Sequence, residues 1–136
     1  MESEQAYKGL LILTKKYKFN ELHSHIKNIG PLKIKLSKLK FDHHLCKIIV
    51  GQQISTRAAD SIWAKFEKKC KKNITPKMVL KLSSKNLKGA GLSRQKVSYL
   101  KNIAKNFINK SFDVKKLKTM NDEESINYIT KLKGLG

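Results

Sequence analysis

The sequence of 136 residues has few acidic, cysteine and aromatic residues and no long apolar run. Two cysteines, Cys46 and Cys70, are too few for a disulfide framework, so a reducing compartment is expected. No apolar run approaches the roughly 20 residues that a membrane-spanning helix needs, so no membrane span is predicted and no membrane partner is expected. The opening MESEQAYKGL has no positive segment before an apolar stretch, so no secretory signal is predicted. Apolar residues still make up 40% of the chain, enough for a core, which excludes a disordered basic tail.

Acidic residues are outnumbered, because 10 Asp and Glu face 30 Lys and Arg and leave a formal charge of +20. A chain this basic attracts polyanions in a salt-dependent manner. Of the 30 cations 28 are lysine, and Ile (13) and Asn (9) are also frequent. These three residue types are what an AT-rich coding sequence produces, so mutational bias is an alternative source of the charge. The charge therefore indicates a class of partner without indicating a function.

Apolar residues recur at helical spacing along most of the chain and predict an irregular all-α globule of short helices. Residues 31–40, where lysine alternates with apolar residues, predict a short strand or an extended connection. The length predicts one domain over residues 1–136. Polar residues suited to cap helices precede most of the predicted helices. They are Asp42, Ser55 or Thr56, Thr75, Ser83 or Ser84, Ser93 and Asp122.

Metal ligands and catalytic groups are poorly represented. His43 and His44 are adjacent, so they point to different faces of a helix, and the chain has no Cys-x-x-Cys, so no metal site is predicted. Cys46 lies in an apolar run and is interpreted as a small buried hydrophobe. None of the ten carboxylates has the setting of a general base, and no catalytic residue is assigned.

Three glycine-containing stretches are more informative, and each has a plain structural interpretation beside a functional one. Gln52 and Gln53 lie in a turn that is either a capped connection or a polar probe for a minor groove. Gly89-Ala90-Gly91 is either a plain turn or a weak phosphate cradle, with Lys96 near a phosphate. The stretch Leu132-Lys133-Gly134-Leu135-Gly136 has the form of a helix-hairpin-helix turn, whose glycines let a phosphate approach bare N–H groups.

Taken in order, Gly51-Gln52-Gln53-Ile54-Ser55, Gly91-Leu92-Ser93 with Lys96, and the closing Leu-Lys-Gly-Leu-Gly resemble the helix-hairpin-helix (HhH-GPD) DNA glycosylase superfamily. The resemblance covers about residues 6–136, and DNA-3-methyladenine glycosylase II is the most similar branch. It implies an all-α, two-lobed HhH-GPD fold. It also implies an enzyme that flips an alkylated purine such as 3-methyladenine out of double-stranded DNA and hydrolyses its N-glycosidic bond. The protein is then expected to be a monomer in the cytoplasm or nucleoid, or in the nucleus of a eukaryote.

The resemblance implies DNA-binding roles for residues of all three motifs. Gln53 matches the residue that wedges into the gap left by the flipped base, with its neighbour beside it in the same loop. The hairpin glycines match a turn that grips the phosphate backbone, often with a monovalent cation, and no other cofactor is expected. The DNA-binding residues so implied are Gln52, Gln53, Ser55, Lys96, Lys133, Gly134 and Gly136.

The sequence departs from the family's pattern at Gly136. In the family an aromatic pocket residue and the catalytic aspartate, which stabilises the sugar cation, follow this hairpin. The fold is therefore expected to be C-terminally truncated at the helix-hairpin-helix turn, and the chain is expected to be inactive alone. Exposure of Ile126, Ile129 and Leu132, with low solubility or a molten C-terminal third, is a further expectation.

Two other functions remain as alternatives to a glycosylase. The first is a non-catalytic DNA-binding helical module, which the charge, the two amides and the hairpin glycines favour. The second is a small basic protein that binds structured RNA, although no aromatic stacking motif is visible.

Overall fold

The computed structural model describes residues 3–33 and 37–136, and every regular element in these ranges is helical. The predicted all-α class is thereby confirmed. The predicted strand or extended connection at 31–40 contains residues 34–36, which lie outside the described ranges, and the described residues around them are neither helix nor strand. The helices are α1 (Ser3–Lys16), α2 (Asn20–Ile29), α3 (Phe41–Gly51), α4 (Thr56–Lys69), α5 (Pro76–Lys81), α6 (Ser84–Gly89), α7 (Arg94–Ile108), a 3-10 helix (Val114–Lys118) and α8 (Asp122–Ile129).

Side-chain caps start four of these helices as the sequence predicts. The hydroxyls of Ser55, Thr75, Ser83 and Ser93 each accept a hydrogen bond from the N–H three residues on, at 3.1 to 3.3 Å. Each such bond satisfies a backbone donor that the first helical turn leaves open and stabilises its helix by about 1 kcal/mol. Local chemistry thus determines where α4 to α7 begin.

The two acidic residues predicted as caps do not cap their helices. Asp42 lies inside the first turn of α3, whose cap position is Lys40, without a side-chain hydrogen bond. At this position its negative charge interacts favourably with the positive end of the helix dipole. At α8 the cap is Asn121, which forms a reciprocal capping box with Glu124, and Asp122 is the first helical residue.

The chain divides into two compact units, Met1–Ser37 and Lys38–Gly136. In the first, α1 packs against α2, and Thr14 is the buried residue of α1. The Oγ1 of Thr14 lies 2.9 Å from Nδ1 of His23 across this pair. That the two units form one domain stays a prediction.

The second unit is built around α7, which contacts α3, α5 and α6. Its core includes Ile49, Phe66, Leu100 and Ile103, each at most 1% exposed. Because α7 has 15 residues and is therefore about 22 Å long, its successive turns can contact several neighbouring helices.

The segment after α8 is packed rather than exposed. Leu132 is 2% exposed and Ile129 is partly buried against the core, so the predicted exposure is wrong for these two residues. The prediction is confirmed for Ile126, which is 61% exposed. The ring of Tyr128 stacks on the buried Phe112 at 4.7 Å between centroids and holds α8 in place. The predicted molten behaviour of this segment stays a prediction.

The two cysteines make the folded state sensitive to alkaline pH. Burial raises the pKa of the Cys46 thiol to about 12, with smaller contributions from Asp42 and Cys70. Burial likewise raises the pKa of Cys70 to about 11. The folded state therefore keeps protons that the unfolded chain releases above pH 9, so stability falls from pH 9 up to these raised values.

We expect the free energy of unfolding to drop by about 1 kcal/mol per pH unit for each such thiol above pH 9. Urea unfolding at pH 8, 9.5 and 10.5 measures the drop, and Cys46→Ala should remove about half of the cysteine contribution. Equal pH slopes for the wild type and Cys46→Ala would contradict this assignment, because the lysines titrate alike in both proteins.

Candidate nucleic-acid interface

The turn between α3 and α4 presents two neighbouring amides in different ways. Gln52 ends α3 with extended backbone, at φ −58° and ψ 135°, while Gln53 has φ +55° in the left-handed region. A residue other than glycine rarely adopts this region, and single left-handed residues make sharp turns. Gln53 is exposed as a result, whereas Gln52 is half-buried. Ser55 caps α4 just behind them.

The side chain of Gln52 joins this turn to the last segment of the chain. Its Nε2 donates a hydrogen bond of 2.7 Å to the carbonyl oxygen of Gly134, 82 residues later in the sequence. A partly buried amide–carbonyl bond of this length holds two backbone segments in register. The first and third sequence motifs are therefore fixed against each other.

Lys96, from the second motif, forms hydrogen bonds with the backbone of the same turn. Its ammonium donates to the carbonyl oxygens of Val50 and Gln52, at 2.7 and 2.9 Å. These carbonyls lie at the C-terminal end of α3, where the helix dipole favours a cation. Burial lowers the pKa of Lys96, so this ammonium is partly removed from water. In the structure the ammonium of Lys96 thus binds backbone carbonyls, and its contact with a phosphate stays a prediction.

The hairpin segment requires glycine at its centre. Gly134 has φ +94°, and a Cβ there would lie 2.4 Å from Cδ2 of Tyr99 and 3.0 Å from Cδ1 of Ile49. The N–H of Lys133 donates to Oδ1 of Asn102 at 3.3 Å. Among the described residues the N–H groups of Gly134 and Gly136 donate to no protein acceptor, so both remain for a solvent or ligand oxygen.

The three motifs converge on one cleft with a volume of about 530 Å³. We call it the polar cleft, since amides, two hydroxyls and backbone groups make up much of its lining. None of its lining residues is acidic. The residues of the predicted DNA-binding set that line it are Gln52, Gln53, Lys96, Gly134 and Gly136.

Two residues of the predicted set lie outside the polar cleft. Ser55 serves as the helix cap, and Lys133 lines a separate groove. Two residues that bear on the site were not predicted. Tyr99 lines the cleft and closes over Gly134, and Asn102 accepts the hairpin N–H. Helical spacing gives a signal for Tyr99, which lies three residues after Lys96 and therefore on the same side of α7.

Neither a metal site nor a membrane-spanning helix is found in residues 3–33 and 37–136. No three His, Cys, Asp or Glu side chains there come close enough together to hold a metal ion. No helix in these ranges has the length and apolar character to cross a membrane.

Comparison with known proteins gives matches that cover both the site and most of the fold. Residues 46–134 match the model of the family described as HhH-GPD superfamily base excision DNA repair protein. The chain is similar to a DNA-3-methyladenine glycosidase from Bacillus halodurans, with a TM-score of 0.73 and 24% identity over 93% of this chain and 58% of that one. It is also similar to a 3-methyladenine DNA glycosylase from Schizosaccharomyces pombe in complex with abasic DNA, with a TM-score of 0.68 and 24% identity over 82% and 56%. The chain thus spans little more than half the length of either protein, and no curated protein matches it.

Proposed function

The chain belongs to the HhH-GPD superfamily of base excision DNA repair proteins, and from this premise we propose that it binds damaged duplex DNA through the polar cleft. It is of the DNA-3-methyladenine glycosylase II type, whose substrates are alkylated purines such as 3-methyladenine, and the 136-residue chain recognises such lesions without excising them on its own. Such a protein acts where the genome is, in the cytoplasm or nucleoid, or in a nucleus, and as a monomer.

One observation carries the proposal. The hydrogen bond from Gln52 to the carbonyl of Gly134 places the turn that would enter a minor groove beside the hairpin that would hold a phosphate. A protein that flips a nucleotide needs both contacts close together, because the backbone must be held where the base leaves the stack. The two turns of this chain meet that geometric requirement.

Gln53 is the residue that enters the duplex in this proposal. It is exposed, and its left-handed backbone lifts the side chain out of the turn. An amide that fills the gap left by a flipped base also finds donors and acceptors on the base edges of the minor groove. Gln52 does not compete for this role, because its Nε2 is already bonded to the hairpin.

The hairpin holds the phosphate backbone beside the lesion. The N–H groups of Gly134 and Gly136 have no protein acceptor in the described part of the chain, and glycine lets an anion approach them closely. A monovalent cation bound by hairpin carbonyls belongs to the same proposal. The cation would screen the phosphate charge.

A second candidate function, a non-catalytic DNA-binding module, is favoured by the lining of the polar cleft. No Asp or Glu lines the cleft, so none of the described residues that form it can stabilise a developing sugar cation or activate water. Such a module binds duplex DNA through its positive charge and does not distinguish a lesion, whereas the first candidate prefers damaged duplex.

The test compares binding of the chain to an abasic duplex and to an intact duplex of the same sequence. We expect about tenfold preference for the abasic duplex, because the cost of unstacking a base is already met there. Gln53→Ala should abolish this preference while leaving affinity for intact duplex and the urea midpoint nearly unchanged. No base should be released from alkylated DNA.

Equal affinity of the wild-type chain for abasic and intact duplexes would refute lesion recognition. Measurable release of 3-methyladenine would instead show that a carboxylate outside the polar cleft reaches the sugar. Both measurements use the same purified chain, so a folded protein that binds neither duplex refutes the two candidate functions together.

A further inference from the structure

A second groove lies beside the hairpin, and its function is not explained by the polar cleft. It has a volume of about 440 Å³ and is lined by α6, α7 and the segment after α8. We call it the basic groove. The cationic residues that line it are Lys88, Arg94, Lys101, Lys105 and Lys133.

The cations of the basic groove follow one side of α7. Arg94, Lys101 and Lys105 lie at positions i, i+7 and i+11, which share a helix face and extend over about 16 Å. Val97, which is 4% exposed, forms part of the groove floor. The turns of α7 that carry Lys96 and Tyr99 line the polar cleft, so one rigid helix serves both surfaces.

One hydrogen bond joins the hairpin to this groove. The N–H of Lys133 donates to Oδ1 of Asn102, and Nδ2 of Asn106 donates to the carbonyl of Asn102 one turn later. Because Asn102 lines the groove and holds the hairpin backbone, a ligand along α7 is positioned relative to the hairpin as well.

The positive charge of the basic groove is not balanced by acidic groups. None of its nine lining residues is Asp or Glu. In the part of the chain that the structure describes, the ion pair found is between Lys8 and Glu4, in the other unit. The lining adds two neutral hydroxyls, Ser84 and Ser98. Several cations with neutral hydrogen-bonding groups and no carboxylate are the usual lining of a site for phosphodiester groups.

We propose that the basic groove binds the sugar–phosphate backbone of the same DNA, next to the segment that the polar cleft and the hairpin glycines contact. This proposal rests on the proposed function and extends its footprint. The cations of α7 extend over about 16 Å, which exceeds the axial rise of about 3.4 Å between successive phosphates on one strand, so they can contact more than one phosphate. The groove supplies affinity without sequence or lesion preference, since backbone contacts carry no base information.

The test compares two triple variants of equal charge, each lowering the formal charge of +20 by three. The groove variant combines Lys88→Gln, Lys101→Gln and Lys105→Gln. The control combines Lys115→Gln, Lys116→Gln and Lys118→Gln, which lie exposed on the 3-10 helix outside the groove. Affinity for a 24-base-pair duplex, intact or with a central abasic site, is measured from 50 to 200 mM salt.

The groove variant should lower the slope of log affinity against log salt by about 2 to 3, and the control by less than 1, because each lost phosphate contact removes about 0.9. At 50 mM salt the groove variant should bind both duplexes about tenfold or more weakly than the control. The ratio between abasic and intact duplex should be the same in both variants.

Equal losses of DNA affinity in the two triple variants would refute the proposed role of the basic groove, since only the total charge of the protein would then matter. If the wild type shows no preference for the abasic duplex but the groove variant still binds DNA more weakly than the control, lesion recognition is refuted and the groove is supported. Binding to a single-stranded RNA is measured in parallel. If the groove variant loses affinity for this RNA but for neither duplex, the DNA assignment is overturned. If the triple variant unfolds, Lys105→Gln against Lys116→Gln repeats the comparison with an expected slope change of about 1.

Discussion

Gly134→Ala is expected to lower the free energy of unfolding by about 3 kcal/mol and to abolish binding to damaged DNA. The added methyl would lie 2.4 Å from Cδ2 of Tyr99 and 2.6 Å from its Cγ, closer than carbon atoms approach, and 3.0 Å from Cδ1 of Ile49. Overpacking of this kind costs about 1 to 3 kcal/mol, and the left-handed φ of +94° adds about 1 to 2 kcal/mol. The hairpin must then move, and the carbonyl that accepts from Gln52 moves with it.

Urea unfolding and binding to abasic duplex measure the two effects. Gly89→Ala is the matched control, because Gly89 lies in α6 without a left-handed φ and nothing lies within 4 Å of its added Cβ. The control should change stability by less than about 1 kcal/mol, in the stabilising direction. If Gly134→Ala is as stable as the control, the ring of Tyr99 can move aside at little energetic cost. If its DNA binding is unchanged, the hairpin is not part of the interface.

Lys96→Met is expected to lower stability by about 2 kcal/mol and the abasic preference by about tenfold. Methionine keeps much of the apolar stem but removes the ammonium that donates to the carbonyls of Val50 and Gln52. Leaving these partly buried acceptors without a donor costs about 1 kcal/mol each, at the lower end of the cost for fully buried groups. The turn that presents Gln53 then loses its support at the end of α3.

The control for this change is Lys65→Met, which removes one charge from an exposed position in the middle of α4. It should lower DNA affinity slightly at low salt and leave the abasic preference intact, because bulk charge does not distinguish lesions. If the two variants lose the preference equally, Lys96 acts through its charge alone. If Lys96→Met loses affinity for intact and abasic duplex by the same factor, Lys96 contacts a phosphate instead of positioning the turn.

Local sequence determined most of the helices, because the forces that start and stop a helix act within a few residues. Ser55, Thr75 and Ser93 cap the helices that they precede, as their hydroxyls predict. The same reasoning failed at Asp42, where the helix starts earlier at the expense of a side-chain cap. There the first helical residue is Phe41, whose side chain packs against the core and favours the earlier start.

The sequence by itself also predicted which turns line the polar cleft, since the order of the glycine motifs is a property of the chain. Tertiary structure alone decided how they are connected. Gln52 and Gly134 are 82 residues apart, so no local pattern shows that the side chain of one bonds the backbone of the other. Packing likewise buried Leu132 and turned the ammonium of Lys96 onto two carbonyls. A hydrogen bond or a buried contact depends on where distant segments meet, whereas a cap or a glycine turn depends on its neighbours.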